Sequence, residues 1–237
     1  MTERNGTQVS RSADSLHIGP SAMFWEKSAL IVRIDEFTAP WPSRLRGVVR
    51  LYPQAVVDHA YALDGHSRHH WRPIAPCARV EVEIDQPNIR WNGMGYLDSN
   101  DGSRPLESDF RSWDWSRSSP QAGQTTVHYD IQRQDGGPLS LALQFDANGN
   151  TQTIAAPPFA ALPGSGWKVA RHARSDAGTT ARVLRTLEDG PFYSRSVLEA
   201  VWQGQPVTSM HESLSLQRFD ANWVRLLLPF RMPRRVD

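Results

Sequence analysis

Two short patterns hold the residue types from which a reactive site could be built, His69-His70-Trp71 and Tyr96-Leu97-Asp98. Successive side chains of a β-strand point to opposite faces, so His69 shares a face with Trp71, and Tyr96 shares one with Asp98. Where two such faces meet, a carboxyl group sits among an imidazole, an indole and a phenol. Burial among apolar groups favours the protonated form of a carboxyl, which turns it into a proton donor. An indole face beside it can stabilise a cation, and tryptophan is the best side chain for that task. Both patterns lie within residues 66–117, which also hold four of the nine tryptophans and three of the eight histidines. Aromatic and titratable groups therefore concentrate in the same stretch.

Each residue also has an ordinary structural role. An aspartate after a strand commonly bonds its own turn, a lone histidine is commonly a surface or core group, and Trp71 and Tyr96 can be core aromatics with a polar handle. Asp109 and Asp114 are rival acids and read as solvated loop carboxylates. Phe110, Trp113 and Trp115 mix helix and strand spacings and read as packing across a loop. His66, His69 and His70 crowd together, but no compact acid or cysteine ligand accompanies them at a usual zinc spacing. Cys77 is the only cysteine, which excludes an intramolecular disulfide and fits a small buried side chain. The chain has no phosphate-binding glycine fingerprint, no P-loop and no HExxH motif.

The elements that must position these groups read as strands. A chain of 237 residues, 39% apolar and 22% charged, is long enough for one large or two small globular β domains. A net charge of +1 offers no electrostatic reason for nucleic-acid binding. The N-terminal MTERNGTQVSRS lacks an apolar signal region, and no run approaches the roughly 18 apolar residues of a membrane span. A cytoplasmic location is expected, with the C-terminal LLLPFRMPRR at 226–235 either a peripheral membrane contact or a buried last strand.

Residues 1–15 read as loose. Alternating or β-rich runs predict strands over 23–26, 29–37, 44–52, 78–85 and 89–97, with 98–102 as a loop. A hairpin is expected from 125–133 and 139–145, and 155–166 reads as a long connection. Further strands are expected over 167–173, 181–187, 193–201 and 210–216, while 214–219 and 223–228 could carry helical turns. Many short strands without strand–helix alternation argue for an antiparallel all-β barrel or sandwich.

Five stretches, WRPIAPCARVEVEI, GMGYLDSNDGSRPLESDFRSWDWSR, RTLEDGPFYSRS, HESLSLQRF and LLLPFRMPRR, resemble the carotenoid 1,2-hydratases, or hydroxyneurosporene synthases. The resemblance runs from about Ser15 to Arg235. It implies two lipocalin-like antiparallel β units, the first over 1–120 and carrying the site, the second over 121–237. Family members usually carry a further N-terminal segment, so the first unit is expected to be incomplete, which puts the activity of this short form in question.

The activity implied is a cofactor-independent hydro-lyase with no metal, acting on an acyclic carotenoid such as neurosporene or lycopene and on water. By resemblance Asp98 is the acid of a Tyr-x-Asp pattern, and His69 and Trp71 form a His-x-Trp pattern with functional weight. Trp71 and Tyr96 are then expected to line the carbocation, and either His69 or Tyr96 to position or deprotonate water. The rivals are a non-catalytic lipocalin-like carrier of an apolar ligand and a carbohydrate-binding β-sandwich. The sandwich predicts a shallow outer aromatic strip and no buried acid.

Overall fold

Alternation of apolar and polar residues over 29–37, 44–52 and 78–85 forces strands with one buried face, and a computed structural model has strands at all three. It describes residues 2–3, 5–38, 41–227 and 232–233. The first strands are β1 (Thr2–Glu3), β2 (Val9–Arg11), β3 (Ser15–Ile18), β4 (Ser21–Glu26), β5 (Ala29–Phe37), β6 (Arg44–Pro53), β7 (Tyr61–Ala62), β8 (His69–Gln86) and β9 (Ile89–Gly102). There follow β10 (Phe110–Ser118), β11 (Gln124–Arg133), β12 (Leu139–Asp146), β13 (Thr151–Thr153), β14 (Phe159–Ala161) and β15 (His172–Arg174). The chain then runs through β16 (Arg182–Asp189), β17 (Tyr193–Trp202), β18 (Gln205–Ser215), helices α1 (Leu216–Phe219) and α2 (Asn222–Leu227), and β19 (Met232–Pro233). The fold is all-β and its two large sheets are antiparallel, as the strand pattern predicts.

Two compact units interleave along the chain. One comprises residues 1–56, 75–97 and 227–237, the other 57–74 and 98–226. In the first unit the sheet runs β2-β3-β4-β5-β6-β8. Its register sets Leu30 opposite Leu51 and Val32 opposite Val49, with Val49 and Leu51 in turn opposite Val82 and Val80. One face thus gathers Val80, Val82 and Ile84 against Ile34, Leu45 and Val49. Gly95 lies on β9 where a side chain would come within 3.2 Å of Val80 and 3.3 Å of Leu51. The glycine of GMGY is therefore a close backbone approach.

The second unit is built on a seven-stranded sheet in the order β13-β12-β11-β10-β18-β17-β16. Along β11 the odd positions Val127, Tyr129 and Ile131 are buried, and Phe145 of β12 and Leu198 of β17 join them in the interior. Residues 69–74 of β8 also belong here and are paired by β7, with Tyr61 opposite Trp71 and Ala62 opposite His70.

Several expectations need correction. Residues 98–102 are not a loop, because β9 runs on to Gly102 in pairing with β8. Backbone pairing sustains this polar strand end where apolar alternation has stopped. The strand over 78–85 is the final part of a longer one that begins at His69. Residues 1–15 hold β1, a 3₁₀ turn at Gly6–Gln8 and β2, again ordered by backbone pairing. Phe110, Trp113 and Trp115 lie on a strand, β10. The connection at 155–166 carries β14, and only His172–Arg174 becomes strand near the expected 167–173. Of the C-terminal basic run, residues 228–231 and 234–237 lie outside the described residues.

Gly47 tests the register of the first unit. It sits at a β-bulge between β6 and β8, and a Cβ there would strike Glu83 O and the Ile84 backbone. Gly47→Ala is expected to destabilise this unit by roughly 1–3 kcal/mol, the usual range for overpacking. A lowered urea midpoint would show it, and an unchanged midpoint would contradict the register.

Candidate active site

The start of β8 is shaped by one carboxylate. Asp64 accepts hydrogen bonds from the backbone N–H groups of His66 (2.8 Å), Arg68 (2.9 Å) and His69 (2.8 Å), with Ser67 in the left-handed region at φ 53°. Burial acts against that charge, but the three N–H donors and His69 hold its pKa below the usual value. The turn delivers His69 into a strand whose burial alternates, with His69 and Trp71 buried and His70 half-buried between them. His69 and Trp71 therefore share an inner face, about 7 Å apart along the strand.

Trp71 is fully buried, and its Nε1 donates to Asp98 Oδ2 at 2.8 Å. Asp98 is half-buried on β9. A chain of rings runs from this pair. Trp71 lies 5.5 Å from Tyr61 and meets Tyr129 edge-on at 5.6 Å; Tyr129 meets Trp113 at 6.1 Å, and Trp113 meets Phe110 at 6.2 Å. Phe110 closes on the His69 imidazole at 4.8 Å. These spacings suit edge-to-face contact. Burial pushes the Tyr129 phenol upward, with the charges of Asp98 and Glu212 adding to it, so this group stays neutral.

At the other end, His69 Nε2 lies 2.8 Å from Asp109 Oδ2. Asp109 Oδ1 accepts from Arg68 Nη2 at 2.7 Å, and Arg104 Nε stands 3.5 Å from Oδ2. A cavity of about 370 Å³ opens beside this pair, lined by His69, Gly102, Arg104, Leu106, Trp113 and Tyr129 among others. Among the described residues no cluster of three His, Cys, Asp or Glu side chains could hold a metal ion.

Of the four residues expected from the sequence, His69, Trp71 and Asp98 thus lie within one unit, with Trp71 and Asp98 in direct contact. Tyr96 is half-buried on the part of β9 that belongs to the other unit. Neither rival acid is a solvated loop carboxylate. Asp109 is only 6% exposed and ion-paired, and Asp114 lies on β10 accepting from Ser213 Oγ and the His172 N–H. Trp113 belongs to the cavity wall rather than to packing across a loop.

The carotenoid hydratase CrtC family model matches residues 1–237. The acyclic carotenoid 1,2-hydratase of Thiocapsa roseopersicina is 48% identical over 99% of this chain and 58% of its own length. Its namesake in Rubrivivax gelatinosus is 44% identical with the same coverage, and that of Cereibacter sphaeroides is 40% identical over 99% of this chain and 84% of its own. The chain belongs to the carotenoid hydratase family. It spans about 58% of the length of the first two relatives. A crystal structure of an AttH candidate from Nitrosomonas europaea superposes with a TM-score of 0.64 at 15% identity, over 90% of this chain and 73% of that one, and so shares the fold.

In this member of the family, sequence reasoning missed Asp109 as the partner of His69 and Tyr129 as a wall of the cavity. Tyr129 was findable, since it alternates with Val127 and Ile131 on the buried face of the expected hairpin strand. Asp109 had no such signal, because it stands 40 residues from His69 and meets it only through the fold.

A second polar group fills the interior of the same unit. His211 is 1% exposed, with Nε2 3.0 Å from Ser213 Oγ. Burial pushes its pKa down to about 4, against the opposing charge of Asp114, and burial also takes His128 down to about 4. Both folded values lie below the unfolded value near 6.5, so the unfolded chain gains protons first as pH falls. Stability is full above about pH 6.5 and is lost between there and pH 4, by on the order of 3 kcal/mol for His211. Melting curves across this window should show the fall, and His211→Gln should flatten it; a wild-type profile level from pH 7 to 4.5 would contradict the burial.

Proposed function

We propose that this chain adds water across the terminal C1–C2 double bond of an acyclic carotenoid such as neurosporene or lycopene, giving the 1-hydroxy product without a cofactor. The names of the Thiocapsa and Rubrivivax relatives support the substrate class and the reaction. The observation that carries the site assignment is the hydrogen bond from buried Trp71 to Asp98. It sets a carboxyl group at the N–H edge of the largest ring in the chain of rings.

An isolated trisubstituted alkene is a poor base, so hydration must begin with proton transfer to carbon from a strong, positioned acid. In this reading Asp98 protonates C2. An indole N–H can only donate, so Trp71 fixes Oδ2 as an acceptor and the transferable proton is assigned to Oδ1. The positive charge then develops at C1, a tertiary centre, where the face of Trp71 stabilises it. Water captures the cation, positioned or deprotonated by His69. The polyene dissolves in lipid, so the proposal includes contact with a membrane surface. No described helix is long and apolar enough to cross one.

Hydration of lycopene in liposomes tests this reading. Asp98→Asn should lower the rate by about 10²–10⁴-fold, the usual weight of a general acid, while the protein stays folded. Trp71→Phe keeps a ring but loses the donor, and about a tenfold loss is expected for a hydrogen bond of roughly 1.4 kcal/mol. Full activity in Asp98→Asn would refute the acid assignment. A wild-type chain that binds lycopene without turnover would favour the apolar-ligand carrier.

A further inference from the structure

A pair of half-exposed tryptophans stands on the second unit and takes no part in the candidate site. Trp167 and Trp223 stack with ring centroids 6.1 Å apart and planes inclined by 17°. Each nevertheless keeps nearly half of its surface open, 45% and 44%. Large aromatic side chains are ordinarily covered on folding, and a group of them left open marks a surface that meets another body.

The fold holds the pair open from two sides. Residues 165–169 form a tight turn, in which the Lys168 N–H donates to Ser165 O at 2.8 Å and the Val169 N–H to Ser165 Oγ at 3.2 Å. Lys168 lies in the left-handed region at φ 60°, a conformation that side chains other than glycine rarely adopt. This turn buries Val169 completely and leaves Trp167 and Lys168 on the surface. Asp189 on the edge strand β16 accepts from the Gly166 N–H at 2.5 Å, which pins the turn to the sheet. Arg218 braces both rings: its Nη2 donates to Trp167 O at 2.8 Å, and its guanidinium lies 5.6 Å from the Trp223 ring centroid. On α2, buried Val224 seats the helix, while Trp223 and Leu226, three residues apart and so on one side of it, are exposed, Leu226 at 74%.

The charges around this surface select its partner. Neither Lys168 nor Arg218 has an acidic partner among the described residues. The nearby acids are engaged, Asp189 by the Gly166 and Trp167 N–H groups and Asp220 by Arg225. After Leu226 the sequence adds Arg231, Arg234 and Arg235 against one acid, Asp237. Indole rings favour the boundary between water and hydrocarbon, leucine enters the hydrocarbon, and cations pair with lipid phosphates. All three kinds of group occur together here.

We propose that Trp167, Trp223 and Leu226, with Lys168 and Arg218, form a docking surface for a bilayer that contains anionic phospholipid. The indoles lie at the level of the headgroups, Leu226 enters the acyl boundary, and the two cations face phosphate. The proposal deepens the hydration reading and rests on it for the substrate, since an acyclic carotenoid dissolves in lipid and docking brings the protein to it.

Flotation of the full chain with carotenoid-free vesicles tests this, one set of phosphatidylcholine and one of phosphatidylcholine mixed with phosphatidylglycerol. Wild type is expected to float with the mixed vesicles and more weakly with the neutral ones. Leu226→Glu, at a position too exposed to disturb folding, and Trp167→Ala should each weaken partition at least about fivefold on both sets. Lys168→Asn keeps a residue that tolerates the left-handed turn, and should weaken binding to the mixed vesicles alone by about fivefold, the weight of one cation at such a surface. Trp41→Ala removes an indole that is 83% exposed on the other unit, and should leave partition unchanged.

A wild type that floats with neither set, or undiminished partition in both Leu226→Glu and Trp167→Ala, would overturn the proposal, as would an equal loss in Trp41→Ala. A dimer seen by light scattering that Leu226→Glu dissolves, without vesicle binding, would assign the surface to a second copy of the chain instead. Lycopene turnover separates the two levels. Leu226→Glu should keep the wild-type rate in detergent micelles and lose rate in liposomes. Vesicle binding by a chain that hydrates nothing defeats the hydration reading alone, whereas equal turnover in liposomes by wild type and Leu226→Glu defeats the docking surface alone.

Discussion

A tryptophan with no exposed surface must find an acceptor for its indole N–H inside the protein, and Trp71 finds Asp98. The rest of the site depends on that constraint. It ties the start of β8 to the end of β9. It also sets a half-buried carboxyl group beside a set of rings. With Asp98 in place, the edge-to-face contacts of Trp71, Tyr129, Trp113 and Phe110 lead back to His69, two residues away on the same strand.

The site is asymmetric in its electrostatics. One end offers a carboxyl group at the N–H edge of an indole that leads into a chain of rings. The other end gathers Asp64, Arg68, Arg104 and Asp109 around a single imidazole, each of these four charges within 3.6 Å of an opposite one. The interior polar group of Asp114, His211 and Ser213 belongs to neither end. Its contribution is to stability and to the acid sensitivity of the second unit.

Most of the strand order was legible because β5, β6, β8, β11 and β12 alternate cleanly, and burial of one face leaves few other options. The polar strands β2 and the end of β9 were not, since their order comes from backbone pairing that leaves no apolar pattern. Interleaving was also hidden, because β8 and β9 each run through both units without any break in composition. In the site, His69, Trp71 and Asp98 could be singled out from strand alternation and from resemblance to a family. Asp109 could not, as a carboxylate among loop-like residues shows its buried ion pairs only after folding.

The central claim is that a fixed acid beside Trp71 protonates C2. Turnover of lycopene in heavy water by the wild-type chain, with the product examined by mass spectrometry and proton NMR, addresses it most directly. The account predicts one non-exchangeable deuterium at C2, delivered to a single face of the former alkene. Product without deuterium at C2, or with deuterium on both faces, would contradict protonation by one positioned carboxyl group.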